Sequence, residues 1–339
     1  MRSLHIGFVF DLRDDYLAMG HSIEAVAEFD SIETIEAVEG ALRRVGHRVT
    51  RVGHGRELAR RFVAGERFDL VFSIAEGVRG RSREAQVPAL CELFDQPYVF
   101  SDPLTMAATL DKAVAKRIVR DAGIPTAPFL VYDHAGQSLT GWAHYPAFVK
   151  PLAEGTGKGC EKASMVSDEA DLRAAADGIM ARFKQSALVE SYLPGREFTV
   201  GILGTGDGAR VVGILEIVLL EDADAGVYSM RNKEECERLV RYDRVDDEEA
   251  RLAATRALAA HRALQCRDAA RHDLRSDADG SPVFLEVNPI AGLHPSHSDL
   301  PILADLHGLA YDALLAEIVA HAAHRYGLAP GTASAQTGT

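Results

Sequence analysis

Cysteine is scarce in this 339-residue chain. Cys91, Cys160, Cys236 and Cys266 lie far apart, with no Cys-x-x-Cys pair and no paired histidines beside them. That argues against a disulfide framework and against a zinc ribbon. Long apolar runs are missing too, and none approaches the roughly 20 residues that cross a bilayer. No basic stretch followed by an apolar one opens the chain, because Asp11, Asp14 and Asp15 interrupt the first apolar run. A secretory leader is therefore not expected, and the cytoplasm is the expected compartment. Positive charge is in deficit, with a formal net charge of −13. This excludes nonspecific nucleic-acid or membrane-surface binding and leaves room for a local basic pocket. Neither a Walker loop nor a Gly-x-Gly-x-x-Gly turn after the first strand is present, which counts against a dinucleotide-dependent dehydrogenase.

What is present alternates. Leu4–Phe10, His47–Val52 and Phe68–Ile74 read as strands, while Ser31–Val45 and Glu84–Phe94 have helical spacing. Such alternation predicts an α/β domain on a mainly parallel sheet over residues 1–101. The Asp11–Asp30 stretch reads as a long first loop. Asp102-Pro103 caps a helix to Leu110, and a second helix runs from Lys112 to Ala122. Strands at Phe129–Tyr132 and Ala147–Lys150 and a helix at Asp168–Arg182 complete a second unit, residues 102–186. A third, residues 187–328, holds strands at Ala187–Tyr192, Phe198–Leu203 and Arg210–Ile217. An irregular charged stretch over Glu221–Asp247 and helices at Glu248–Leu264 and Tyr311–Ala322 also belong to it. The small polar tail, residues 329–339, reads as disordered. No internal repeat is visible.

Two runs near the C-terminal end carry the chemistry. Arg271-His272-Asp273-Leu274-Arg275 and Val283-Phe284-Leu285-Glu286-Val287-Asn288-Pro289 read as strands joined by a turn bearing Gly280. Side chains two apart share a face. Pairing of the strands would bring Asp273, Glu286, Asn288 and Arg271 together, with Leu285 and Val287 in the core. Hard oxygen ligands beside a guanidinium suit magnesium bound to a nucleotide. His272, on the opposite face, reads as a packing residue.

Two further pieces accompany them. In Glu154-Gly155-Thr156-Gly157-Lys158-Gly159, closely spaced glycines let backbone N–H groups approach an anion, and Lys150-Pro151 stands just before. Val189-Glu190-Ser191-Tyr192-Leu193-Pro194-Gly195-Arg196-Glu197 reads as strand, turn and strand, able to present backbone groups to an adenine and a carboxylate to a ribose.

Together with Asp111-Lys112, these motifs occur in the order of the ATP-grasp superfamily, and the chain most resembles the D-alanine–D-alanine ligase family from about Asp69 to Ile318. The resemblance implies three α/β subdomains, with ATP between the central and C-terminal ones. It implies an ATP-dependent ligase that joins a carboxylate to an amine through an acyl phosphate. Lys112 and Lys150 match phosphate-contacting lysines, and Glu154, Gly155, Thr156, Gly157 and Gly159 the glycine-rich loop over ATP. Glu190, Tyr192 and Leu193 match the adenine pocket and Glu197 the ribose carboxylate. Asp273, Glu286 and Asn288 match the ligands of two Mg²⁺ ions, which Mn²⁺ could replace. Arg271, Lys233, Ser298 and Gly292 match residues that act on the reacting groups, Lys233 from a closing lid. Glu28, Asp30, Glu76, Tyr228 and His297 are expected near small amino-acid, carboxylate or amine substrates. A homodimer is a family-based expectation.

The departures cluster on the substrate side. The position of the family's ammonium-holding glutamate is Phe29, flanked by Glu28 and Asp30; the family's His-Gly reads Glu76-Gly77; a serine of the glycine loop is Thr156 or Gly157; and a tyrosine after the lid lysine is Glu234. The expectation is a donor carboxylate other than D-alanine. True D-alanine–D-alanine ligation and a non-catalytic ATP-binding regulator are the alternatives.

Overall fold

A computed structural model describes residues 2–223, 226, 229, 231–232 and 235–328. Three sheets organise the chain. The first is parallel, in the order β2-β1-β3, from β1 (His5–Val9), β2 (Arg48–Gly53) and β3 (Leu70–Ser73). Both of its faces are covered, which is why its central strand is a continuous apolar run. Ile6 and Phe8 pack with Ile35, Val38 and Leu42 of helix Ile32–Arg44, and with Leu314 and Ile318 of helix Tyr311–Arg325. Val9 and Val71 face Leu58 and Phe62 of helix Gly55–Val63 on the other side.

The second sheet joins β4 (Phe129–Tyr132), β5 (Ala147–Pro151), β6 (Met165–Val166) and β7 (Ala187–Ser191) in the order β4-β7-β5-β6, with helix Glu169–Phe183 packed on it. The third runs β10-β9-β8-β11-β12, from β8 (Glu197–Leu203), β9 (Arg210–Leu219), β10 (Val240–Arg244), β11 (Ala269–Ser276) and β12 (Pro282–Asn288). Helix Glu248–Ala263 lies against it, with Ala250, Ala253 and Ala257 giving close approach to Phe198 and Val200.

Several expectations change. The Ala187 strand belongs to the second sheet, between β4 and β5, so the chain passes to the third sheet after Ser191 rather than at 186. Alternating apolar residues fit either sheet equally; tertiary pairing decides. Asp11–Asp30 is not one loop. It forms helix Arg13–Ala18 and a 3₁₀ turn at Glu24–Val26, closed by Tyr16, Val26 and Phe29. Helix Gly55–Val63 went unread, and the Glu221–Asp247 stretch contains helix Cys236–Leu239 and strand β10. The 329–339 tail lies outside the described residues.

Candidate active site

The site forms where β11 and β12 pair antiparallel. Arg271 stands opposite Asn288 and Asp273 opposite Glu286. The register then slips at Asp273/Leu274, so Leu274 meets Phe284 and Leu285 is the extra residue. Such a bulge re-aims a side chain. Leu285, expected in the core, instead lines a cavity of about 100 Å³ with Phe148, Lys150, Leu193 and Glu197. Val287 stays buried as expected.

A second cavity of about 640 Å³ adjoins the first, and the two share Lys112, Glu154 and Glu286 among their lining residues. Lys112 Nζ lies 3.4 Å from Glu286 Oε2 and donates to the Glu154 carbonyl at 2.5 Å. Asp273 accepts from Thr199 Oγ1 at 3.0 Å and lies 3.0 Å from Arg271 Nη2. The other arm of Arg271 pairs with Asp299, which also accepts from Tyr242 at 3.1 Å. Sequence reading assigned Asp299 no role. Its only signal was a place in the Gly292–Pro301 run, which folds as a loop ending in helix Asp299–Leu306 rather than as loop throughout.

Lys150 ends β5 buried, and Glu190 pairs with it at 2.7 Å and with Lys116 at 2.9 Å. Burial alone would raise the Glu190 carboxyl, but the two ammonium groups overcome it and bring it down to about 2. The Glu190 carboxylate is thus spent on positioning lysines, while its residue still lines the smaller cavity. Lys116 was missed; a lysine in an amphipathic helix gives no sign of facing inward. Arg275 was missed as well, although the alternation that selected Arg271 and Asp273 also selects it. It donates to Glu197 at 3.3 Å and to Tyr192 Oη at 3.2 Å, and stacks on the Tyr192 ring.

The glycine-rich loop leaves β5 through left-handed residues: Thr156 (φ +53°), Gly157 (+69°) and Gly159 (+68°). A Cβ on Gly159 would meet Pro151 at 2.7 Å, so the loop folds back tightly on its strand. Glu28, which follows the 3₁₀ turn at Glu24–Val26, holds this loop. It accepts from Gly155 N–H at 2.5 Å, pairs with Arg83 at 2.7 Å and lies 3.6 Å from Lys158. Both Glu28 oxygens are therefore engaged by the protein, and the residue also lines the larger cavity. Asp30 and Glu76 line it too, as do Gly292, His297 and Ser298. Ser298 Oγ accepts from His294 N–H at 3.0 Å, and a Cβ on Gly292 would meet that oxygen at 2.7 Å. His297 contacts Cys236 Sγ at 3.6 Å. His272 is buried against His261 at 3.2 Å, in keeping with a packing role. Lys233, Glu234 and Tyr228 lie outside the described residues.

The donor set suits a hard cation. Asp273, Glu286 and Asn288 offer oxygens on the paired strands. Among the described residues no helix is long and apolar enough to cross a membrane.

Residues 118–320 match the family model described as D-ala D-ala ligase C-terminus. The uncharacterized protein y4sG of Sinorhizobium fredii is 34% identical over 265 residues, 76% of this chain and 75% of that protein. The D-alanine–D-alanine ligase of Bordetella petrii is 34% identical over 272 residues, 79% of each. The D-alanine–D-alanine ligase of Bacillus anthracis, solved with ATP, superimposes with a TM-score of 0.74 at 22% identity, covering 96% of this chain and 99% of that one. With its three sheets and its Asp273/Glu286 strand pair, the chain has the ATP-grasp fold and belongs to the D-alanine–D-alanine ligase family of ATP-dependent carboxylate–amine ligases.

Proposed function

We propose that the smaller cavity takes the nucleotide of ATP and the larger one takes the substrates, with phosphoryl transfer where they meet. The observation that carries this is the shared wall: Lys112, Glu154 and Glu286 border both cavities. Phe148, Leu193 and Leu285 offer apolar surface to an adenine, and Glu197 a carboxylate to a ribose. Lys150 and Lys112 stand where a triphosphate would lie. Asp273, Glu286 and Asn288 would hold Mg²⁺, which when bound offsets charge on the phosphate oxygens.

A substrate carboxylate oxygen attacks the terminal phosphorus, the bridging P–O bond breaks and ADP leaves. The amine nitrogen then attacks the acyl carbon, the C–O bond to phosphate breaks, and the amine proton leaves with the departing phosphate. Arg271, held between Asp273 and Asp299, faces the larger cavity and offsets the oxyanion of that second step. The backbone N–H of Gly292 and the hydroxyl of Ser298 orient the acceptor. Water must be kept out, since it would hydrolyse the acyl phosphate.

The donor differs from D-alanine in this reading, because the substitutions at Phe29, Glu76 and Thr156 all fall on the substrate side. The relatives' names favour D-alanine–D-alanine ligation as the second reading. The cytoplasm and a homodimer remain part of the proposal. Phosphate release from ATP and Mg²⁺ against D- and L-amino acids, singly and in pairs, with mass spectrometry of the products, tests it. Release with D-alanine alone would establish the second reading. An amide product from another pair would establish the first.

A further inference from the structure

The larger cavity holds more negative charge than its own cations balance. Its lining includes Arg13, Lys112 and Arg271, each already committed. Arg13 donates to the carbonyls of Phe29 and Ala27, Lys112 lies beside Glu286, and Arg271 sits between Asp273 and Asp299. Glu28 and Glu154 also line it, neutralised by Arg83 and Lys158. Four lining carboxylates remain: Glu237, exposed to solvent, and the half-buried Asp30, Glu76 and Glu84. Among the described residues none of them accepts a side-chain hydrogen bond or forms an ion pair.

The fold places the three half-buried groups deliberately close. Asp30 is fixed by a bridge to Leu12. Glu76 follows β3 at a turn where Gly77, at φ +72°, lies so near the Arg83 carbonyl that a Cβ would come within 2.7 Å of it. That contact brings the Glu84 turn beside Glu76. The guanidinium acting on Glu76 and Glu84 is Arg83, which is occupied by Glu28 and by the Ala153 carbonyl at 2.9 Å, and the one acting on Asp30 is Arg13. Withdrawal from solvent raises all three carboxyl groups, those of Asp30 and Glu84 to about 7, with mutual repulsion adding to the effect at Glu76. Carboxylates arranged this way are costly unless a cation arrives with the ligand. Their oxygens do not close to the 4.8 Å spacing of a metal-binding triad, which His261, Cys266 and His272 do reach. They line a wall rather than ring an ion.

We infer that the donor substrate is a basic amino acid, carrying a side-chain ammonium or guanidinium besides its α-ammonium. Its carboxyl end lies toward Lys112 and Glu286, and its cationic groups lie along Asp30, Glu76 and Glu84. This rests on the ligase reading of the same cavity. An α-ammonium alone needs one carboxylate; three half-buried ones with no protein partner call for a second positive charge.

The test uses the full chain with ATP and Mg²⁺ and compares D- and L-lysine, ornithine and arginine with the uncharged norleucine and alanine. The expected result is kcat/KM for a basic amino acid at least about a hundredfold above its uncharged isostere. Glu76→Gln and Glu84→Gln should each erase at least about tenfold of that ratio, chiefly through KM. Binding is read separately, by thermal shift with a non-hydrolysable ATP analogue. Selective stabilisation by lysine over norleucine supports the inference even where no phosphate is released, and then it is the ligase reading that fails. Equal or better use of uncharged amino acids overturns it. So does a basic-to-uncharged ratio that both glutamine variants leave intact, or equal thermal shifts with lysine and norleucine.

Discussion

The Lys150 ammonium lies 2.7 Å from Glu190 Oε1 in a pair shut off from solvent, and Lys116 occupies the other oxygen at 2.9 Å. The lysine proposed to meet a phosphate is thereby held in place near the end of its strand by the protein itself. Glu190 is the pivot of this arrangement.

Replacing that pivot should be felt in stability first. Glu190→Gln leaves Lys116 buried without a counter-charge, which costs about 3 kcal/mol or more. The pH dependence has a definite sign. The folded Glu190 carboxyl is depressed to about 2 from an ordinary 4.5, so its contribution is fully present above 4.5 and lost as pH falls toward 2. Denaturant titrations of wild type and variant should converge across that window. A constant gap down to pH 2 would contradict the pairing.

Glu286 borders both cavities and faces Asp273 across the sheet. Glu286→Gln should lower ATP-dependent turnover by at least about a hundredfold, through weaker metal binding and lost charge stabilisation together. Chelation of divalent ions should abolish ADP formation in the wild type. Near-normal ligation by the variant would move the metal site elsewhere.

The ion pair of Glu28 and Arg83 is joined to the glycine loop through Gly155 N–H and the Ala153 carbonyl. Arg83→Ala should raise the KM for ATP and hasten amide exchange over Glu154–Gly159, with a stability cost of about 3 kcal/mol because Glu28 stays buried. Exchange at that loop unchanged from wild type would remove the coupling.

At Gly292 there is no room for a Cβ, since Ser298 Oγ stands at 2.7 Å. Gly292→Ala should displace Ser298 and reduce kcat/KM for the acceptor by about tenfold or more, with ATP affinity unchanged. Equal losses toward ATP and acceptor would place Gly292 in general packing instead.

Much of this molecule was legible in one dimension. Period-2 alternation placed Asp273, Glu286, Arg271 and Asn288 on one face, and the observed register sets them opposite one another in pairs. Asp102 and Asp168 marked the starts of their helices because local side-chain-to-backbone hydrogen bonds are written in adjacent residues. Other features depend on partners far away in sequence. Leu285 left the core because of a bulge, β7 joined the second sheet, and Glu28 turned to Gly155, 127 residues distant. No spacing rule encodes which buried carboxylate finds a cation. The sequence by itself determined most of the strands, the oxygen-rich face and the family, because these follow from short-range periodicity and motif order. Only the tertiary structure decided that Glu190 and Glu28 are neutralised while Asp30, Glu76 and Glu84 are not, because charge pairing is settled by three-dimensional proximity.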